Sequence, residues 1–122
     1  MAEPAERPWP TELRLAGKGT LLKVSFDSGE AFELPAELLR VESPSAEVKG
    51  HAPDQAVTVP GKRNVAITRI EQVGNYAVRL LFSDGHSTGI YTWDYLLKLG
   101  REGKAIWQAY LDKLAAEGLS RD

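Results

Sequence analysis

Tyr76-Ala77-Val78-Arg79-Leu80-Leu81-Phe82-Ser83-Asp84-Gly85-His86-Ser87-Thr88-Gly89-Ile90-Tyr91-Thr92-Trp93 is the stretch that decides the fold. Tyr76, Val78, Leu80 and Phe82 occupy alternate positions, the period of a strand with one buried face. Ser83-Asp84-Gly85-His86 reads as a hairpin turn, because Asp and Gly tolerate the positive φ that tight turns demand. Thr88 to Tyr91 reads as the return strand, and Thr92 as the cap of a helix starting at Trp93. Gly74-Asn75 is a further turn, joining this strand to a β region that begins with Val65, Ile67 and Ile70.

The pattern has an earlier echo. Val24-Ser25-Phe26-Asp27-Ser28-Gly29-Glu30 parallels Leu80-Leu81-Phe82-Ser83-Asp84-Gly85-His86. Leu22, Val24 and Phe26 share a face, and Ala31 to Leu34 returns. Pro35 to Arg40 reads as a short helix with Pro35 at its first position, where the missing N–H costs nothing. Its Leu38-Leu39 matches the later Leu96-Leu97. Before it, Glu12-Leu13-Arg14-Leu15 alternates and Gly17-Lys18-Gly19 is a turn signal. Duplication and convergence both produce such an echo. Either way, two β-hairpins, each followed by a helix, share one core. The expected class is α+β, a small mostly antiparallel sheet with a C-terminal helix packed on it.

In the later part of the chain, Leu96, Leu97 and Leu99 mark a buried helix side, with Gly100 as its end or a kink. A last helix is expected from Lys104 to Glu117, with Ile106, Ala109, Tyr110, Lys113 and Leu114 at helical spacing and Gly118 as its stop. Residues 1–10 carry three prolines and two glutamates and read as a flexible arm, pinned at its end by Trp9. Residues 11–103 then form the domain, and 104–122 its C-terminal helix. Residues 42–63, with Pro44, Pro53 and Pro60, show no sustained period and read as a long loop.

Composition bounds the chemistry. The chain has 122 residues, 43% hydrophobic, no cysteine and a formal charge of −2. One domain of this size folds without staples. The absence of cysteine excludes disulfides, thiolate-ligated zinc or iron–sulfur clusters, and thiol catalysis. The charge balance argues against a nucleic-acid coat, although Lys62, Arg63, Arg69 and Arg79 lie in or near the second β region beside Tyr76. Nucleic acid is not an expected partner. No run approaches the roughly 18 to 20 apolar residues that cross a membrane. The acidic, proline-rich start is not a signal peptide, so the expected location is the cytoplasm.

Few constellations carry chemistry. No serine sits in Gly-x-Ser-x-Gly, and Gly17-Lys18-Gly19-Thr20 lacks the spacing of a phosphate loop. The two histidines, His51 and His86, each have a carboxylate nearby, Asp54 and Asp84 respectively. With Asp84 or Glu47 they make a candidate iron or zinc site, provided the loop brings both imidazoles to one ion. A turn histidine is nonetheless more often a surface donor. Tyr91-Thr92-Trp93-Asp94-Tyr95 is dense in aromatics, which at a strand-to-helix corner usually pack in the core. Glu47, Trp93 and Tyr95 are the candidate partner surface. No catalytic residue is assigned.

Two segments together, Leu38-Leu39-Arg40-Val41-Glu42-Ser43-Pro44-Ser45-Ala46-Glu47-Val48-Lys49-Gly50-His51 and Val73 to Leu96, resemble the DUF971 family, also called gamma-butyrobetaine hydroxylase-like, N-terminal. The resemblance covers about residues 11 to 103. It implies a compact α+β domain with mostly antiparallel strands. In the eukaryotic hydroxylases the equivalent domain holds a structural zinc through three cysteines and a histidine, in a segment reading Leu-Arg-Asp-Asn-Cys-Pro-Cys-x-x-Cys. Here Ser43, Ser45 and Val48 stand at the cysteine positions and His86 at the histidine position. Hydroxyls and a valine cannot replace thiolates around zinc, so no zinc cofactor is expected. The hydroxylases' iron and 2-oxoglutarate belong to a separate jelly-roll domain of about eight strands. This chain has strands for only the small domain, so no hydroxylase activity is expected. Relatives fused to Mrp-type P-loop ATPases of iron–sulfur cluster assembly suggest such an ATPase as partner. The resulting expectation is a non-enzymatic accessory or interaction module linked to iron or iron–sulfur metabolism. The alternative is a metal-ion binding protein using His51 and His86.

Overall fold

The computed structural model describes residues 8–50 and 56–122. The first unit is β1 (Pro10–Ala16), β2 (Leu21–Phe26), β3 (Ala31–Pro35) and helix α1 (Ala36–Val41). A four-residue helix, α2 (Ala46–Lys49), follows. The second unit is β4 (Ile67–Val73), β5 (Ala77–Phe82), β6 (Ile90–Thr92) and the long helix α3 (Trp93–Ala116). Each unit's strands form an antiparallel three-stranded sheet in chain order, with β2 or β5 in the middle. This is an α+β fold.

The sequence echo is also a structural one. β1 slips register between Pro10 and Glu12, opposite the Phe26 end of β2. β4 slips between Ile67 and Arg69, opposite the Phe82 end of β5. Both turns close alike. Phe26 N–H donates to Glu30 O at 2.8 Å, and Phe82 N–H to His86 O at 2.9 Å. Gly29 and Gly85 supply the positive φ, 92° and 91°. The second residue's side chain accepts from the fourth residue's N–H in each: Ser28 Oγ from Glu30 at 3.4 Å, Asp84 Oδ1 from His86 at 3.1 Å.

One core serves both units. Leu22, Val24 and Phe26 of β2 meet Val78, Leu80 and Phe82 of β5, with Leu38 and Leu39 of α1 and Leu96, Leu97 and Leu99 of α3. Tyr76 shares the β5 pattern in sequence but lies in the preceding turn and is exposed.

Helix α3 departs from the expected pair of helices. It runs unbroken through Gly100, which was expected to end or kink it. The reason is tertiary. A Cβ at Gly100 would lie 2.4 Å from Phe32 Cδ2, so glycine lets the β3 ring rest on the helix backbone. Buried Leu96, Leu97, Leu99, Tyr110 and Leu114 then hold the helix on both sides of that contact. The helix starts as expected, with Thr92 Oγ1 accepting from Tyr95 N–H at 3.2 Å. It ends at Ala116, and beyond it Gly118 takes a positive φ while Leu119 N–H donates to Leu114 O at 2.8 Å. β6 begins at Ile90, not Thr88. Pro35 caps α1 rather than opening it, and α2 occupies part of the expected loop. Trp9 does pin the chain. Its backbone N–H donates to Asp27 Oδ1 at 2.9 Å, and its ring meets Trp93 edge-on at 6.2 Å. Residues 1–7 of the expected arm lie outside the described residues.

Candidate functional site

The β5–β6 turn and the α1–α2 corner meet at a buried polar cluster. The turn carries His86 inward, where its side chain is 3% exposed. Nε2 lies 2.9 Å from Ser43 Oγ, and Nδ1 lies 3.0 Å from Glu47 Oε1. Burial and the charge of nearby Arg40 push the imidazole pKa below its ordinary value, against the opposing pull of Glu47 and Asp84. This favours the neutral ring at neutral pH. With Glu47 accepting from Nδ1–H, Nε2 is the acceptor and Ser43 Oγ–H its donor. Ser43 Oγ also accepts from Ser45 N–H at 3.3 Å, and Ser45 Oγ meets Thr88 Oγ1 at 2.7 Å. Gly89 makes room for this, since a Cβ there would lie 2.4 Å from Ser43 Oγ. Tyrosines complete the junction. Tyr91 OH donates to Leu39 O and Tyr95 OH to Glu42 O, each at 2.5 Å. Burial raises the pKa of both phenols.

Ser43, His86 and Glu47 stand in the order nucleophile, base and orienter that activates serine in hydrolases. Ser43 is completely buried, however, and among the described residues neither cleft described below is lined by Ser43 or His86. The relay joins two parts of the fold. The zinc site implied by the family resemblance does not fit these residues either. Ser43, Ser45 and His86 do come together, but they offer two hydroxyls and an imidazole whose two nitrogens are already hydrogen-bonded. Val48 has no donor atom.

Of the residues named for an iron or zinc site, Glu47 meets the His86 ring, while Asp84 is bound to two cations. Asp84 Oδ2 is 2.8 Å from Arg40 Nε and 2.6 Å from Lys62 Nζ. Partial burial opposes its ionisation, but the bonds from Lys62, His86 N–H and Arg40 outweigh that and hold the carboxyl far below the usual carboxylate range. Asp84 thus meets the His86 backbone and not its ring. His51 and Asp54 lie outside the described residues. Among the described residues no three His, Cys, Asp or Glu side chains are grouped to hold a metal ion.

The aromatic corner leads to an open surface. Tyr95 is turned inward, and Glu47 is committed to His86. Trp93 donates its indole N–H to Asn75 O at 2.9 Å and lies at one end of a cleft of about 580 Å³. The cleft separates the two sheets along β1 and β4, each the edge strand of its own sheet. Residues of both strands line it. Gly19, beyond the end of β1, touches the Ile67 backbone at the start of β4. Thr11 and Leu13 of β1 and Ile70 and Gln72 of β4 line the cleft. Trp9 flanks it 48% exposed, and Tyr76, whose carbonyl accepts from the backbone N–H of Trp93, is 52% exposed. Sequence reasoning singled out Trp93 from aromatic density. It missed β1 and β4 as a paired wall, because only the folded topology brings those segments together.

Two β-β-β-α units around one core define a small α+β domain. The chain belongs to the gamma-butyrobetaine hydroxylase-like, N-terminal family, whose model matches residues 13–97. It is similar to two proteins solved in solution by NMR. One is 47% identical over 99% of this chain and 90% of that one, and the other 42% identical over 94% and 90%, each with a TM-score of 0.81. It is also similar to a crystal structure of a protein of unknown function from the DUF971 family of Acidithiobacillus ferrooxidans. That likeness has 37% identity, a TM-score of 0.64, and coverage of 81% of this chain and 98% of that one. No curated protein matches the chain. Among the described residues no helix is long and apolar enough to cross a membrane.

Proposed function

We propose that the chain is a non-enzymatic interaction module that captures an extended segment of a partner protein in the cleft between β1 and β4. The observation that carries this reading is the cleft itself, bounded by two edge strands and flanked by Trp9 and Trp93. An added strand gains main-chain hydrogen bonds from an unpaired edge, and side-chain pockets supply specificity. Exposed aromatics beside such a cleft are the residue types that anchor interfaces. Charges on both edges, Glu12 and Arg14 on β1 and Arg69 and Glu71 on β4, disfavour pairing between copies of the chain. The family resemblance makes an Mrp-type P-loop ATPase of iron–sulfur cluster assembly the first partner to test, and a cytoplasmic location goes with that reading.

Calorimetric titration of the purified ATPase into the domain tests this. Binding is expected for the wild type, with a loss of more than about tenfold in Trp9→Ala and in Gln72→Trp, which plugs the cleft while keeping Trp9. Absence of wild-type binding removes the ATPase as partner. Undiminished binding by both folded variants removes the cleft.

A further inference from the structure

A second cleft, of about 460 Å³, opens between β3, α1 and α3. Its walls are apolar, made by Phe32, Leu34, Leu38, Leu99 and Trp107. This size and lining suit a small molecule. Two helix glycines, Gly100 and Gly103, line the α3 side. Gly100 is explained by the Phe32 ring lying on it. Gly103 is not: a Cβ built there meets nothing within 4 Å. Glycine inside a helix weakens it relative to alanine, so Gly103 has a helix cost and no internal contact to justify it. What its missing side chain does provide is free space along the cleft.

The charges select the ligand. Glu37 and Arg121 satisfy each other through two bonds of 2.8 and 2.6 Å, with the guanidinium 5.2 Å over the Trp107 ring. Glu33 is 3.6 Å from Lys23. Lys104 is the one lining charge with no ion pair or hydrogen bond among the described residues. The cleft therefore pairs an apolar interior with one unneutralised cation at its mouth. We infer that this cleft binds a small amphipathic acid, an alkyl chain ending in one carboxylate, with the chain against Leu99, Gly103 and Trp107 and the carboxylate at Lys104.

The test is a titration of the ¹⁵N-labelled domain with decanoate, followed by NMR, with decylamine as the charge-reversed control. Decanoate is expected to shift the Gly100 and Gly103 amides and the Trp107 indole saturably, and decylamine is not. Lys104→Ala should weaken decanoate about tenfold, the loss of one charge-assisted contact. Gly103→Leu should abolish binding. Gly103→Ala should raise the melting temperature by a few degrees and still weaken decanoate, a combination that a purely structural glycine would not give. No saturable shift with decanoate, equal shifts with decylamine, or wild-type affinity in Gly103→Leu would each overturn the inference.

Discussion

The two hairpin turns have the same backbone and opposite surroundings. Asp27-Ser28-Gly29-Glu30 and Ser83-Asp84-Gly85-His86 share their hydrogen bonds, their glycine φ and the strand bulge beside them. The fourth residue of the first turn, Glu30, is partly exposed and takes two bonds of 2.8 and 2.7 Å from Arg101 of α3. The fourth residue of the second, His86, is buried against Ser43 and Glu47 beyond α1. Each turn therefore reaches across to the helical part of the other unit. Turn chemistry sets the backbone, and the residue at the fourth position decides whether the cross-unit tie is a surface ion pair or a buried neutral relay.

The largest expected difference is between His86→Ala and Glu30→Ala. Removing the imidazole leaves a cavity and an unpaired Ser43, which should cost about 3 kcal/mol in urea denaturation. Glu30→Ala should cost far less, since it removes an ion pair open to solvent and salt. Equal costs would break the comparison.

Acid separates the turns next. The His86 pKa is lowered in the fold, so the unfolded chain takes up its proton first. The stability it contributes is present above the ordinary histidine value of about 6.5 and is lost as pH falls below it. Glu30 is held down to about 2 by its bonds from Arg101 and Ser28, so its contribution persists until pH falls below about 4.5 and is lost toward 2. Melting temperatures should thus begin to drop below about pH 6.5 in the wild type, and His86→Ala should remove that first decline. A wild-type curve flat from pH 7 to 5 contradicts a buried neutral His86.

Gly29→Ala and Gly85→Ala sharpen the likeness rather than the contrast. Both glycines have positive φ and open space around them, so each substitution carries only the left-handed penalty, about 1 to 2 kcal/mol. The two costs should agree within about 0.5 kcal/mol. The smallest expected effect is none: a fluorophosphonate probe should leave Ser43 unlabelled in the folded protein despite its relay geometry, and stoichiometric labelling would show that the serine is reachable.

Most of the fold was legible because hairpins write themselves locally. Leu22, Val24 and Phe26 alternate, Asp and Gly follow, and the strand returns. Val78, Leu80 and Phe82 repeat this. Gly100 was misread because a helix glycine reads as a stop unless the Phe32 ring that needs it is known, and that ring comes from another sheet. Ser43 and Ser45 were located by family resemblance, but their burial depends on a hairpin far along the chain and has no local signature. Trp93 was marked by its aromatic neighbours, whereas the clefts form between segments that only the tertiary structure brings together.

The most direct test of the interaction-module account is the amide spectrum of the ¹⁵N-labelled domain on addition of the purified Mrp-type ATPase. The account predicts shifts or broadening concentrated on β1, β4 and the Trp9 and Trp93 indoles, with the Ser43–His86 junction unchanged. Perturbation confined to surfaces away from that cleft, or no perturbation at all, would contradict it.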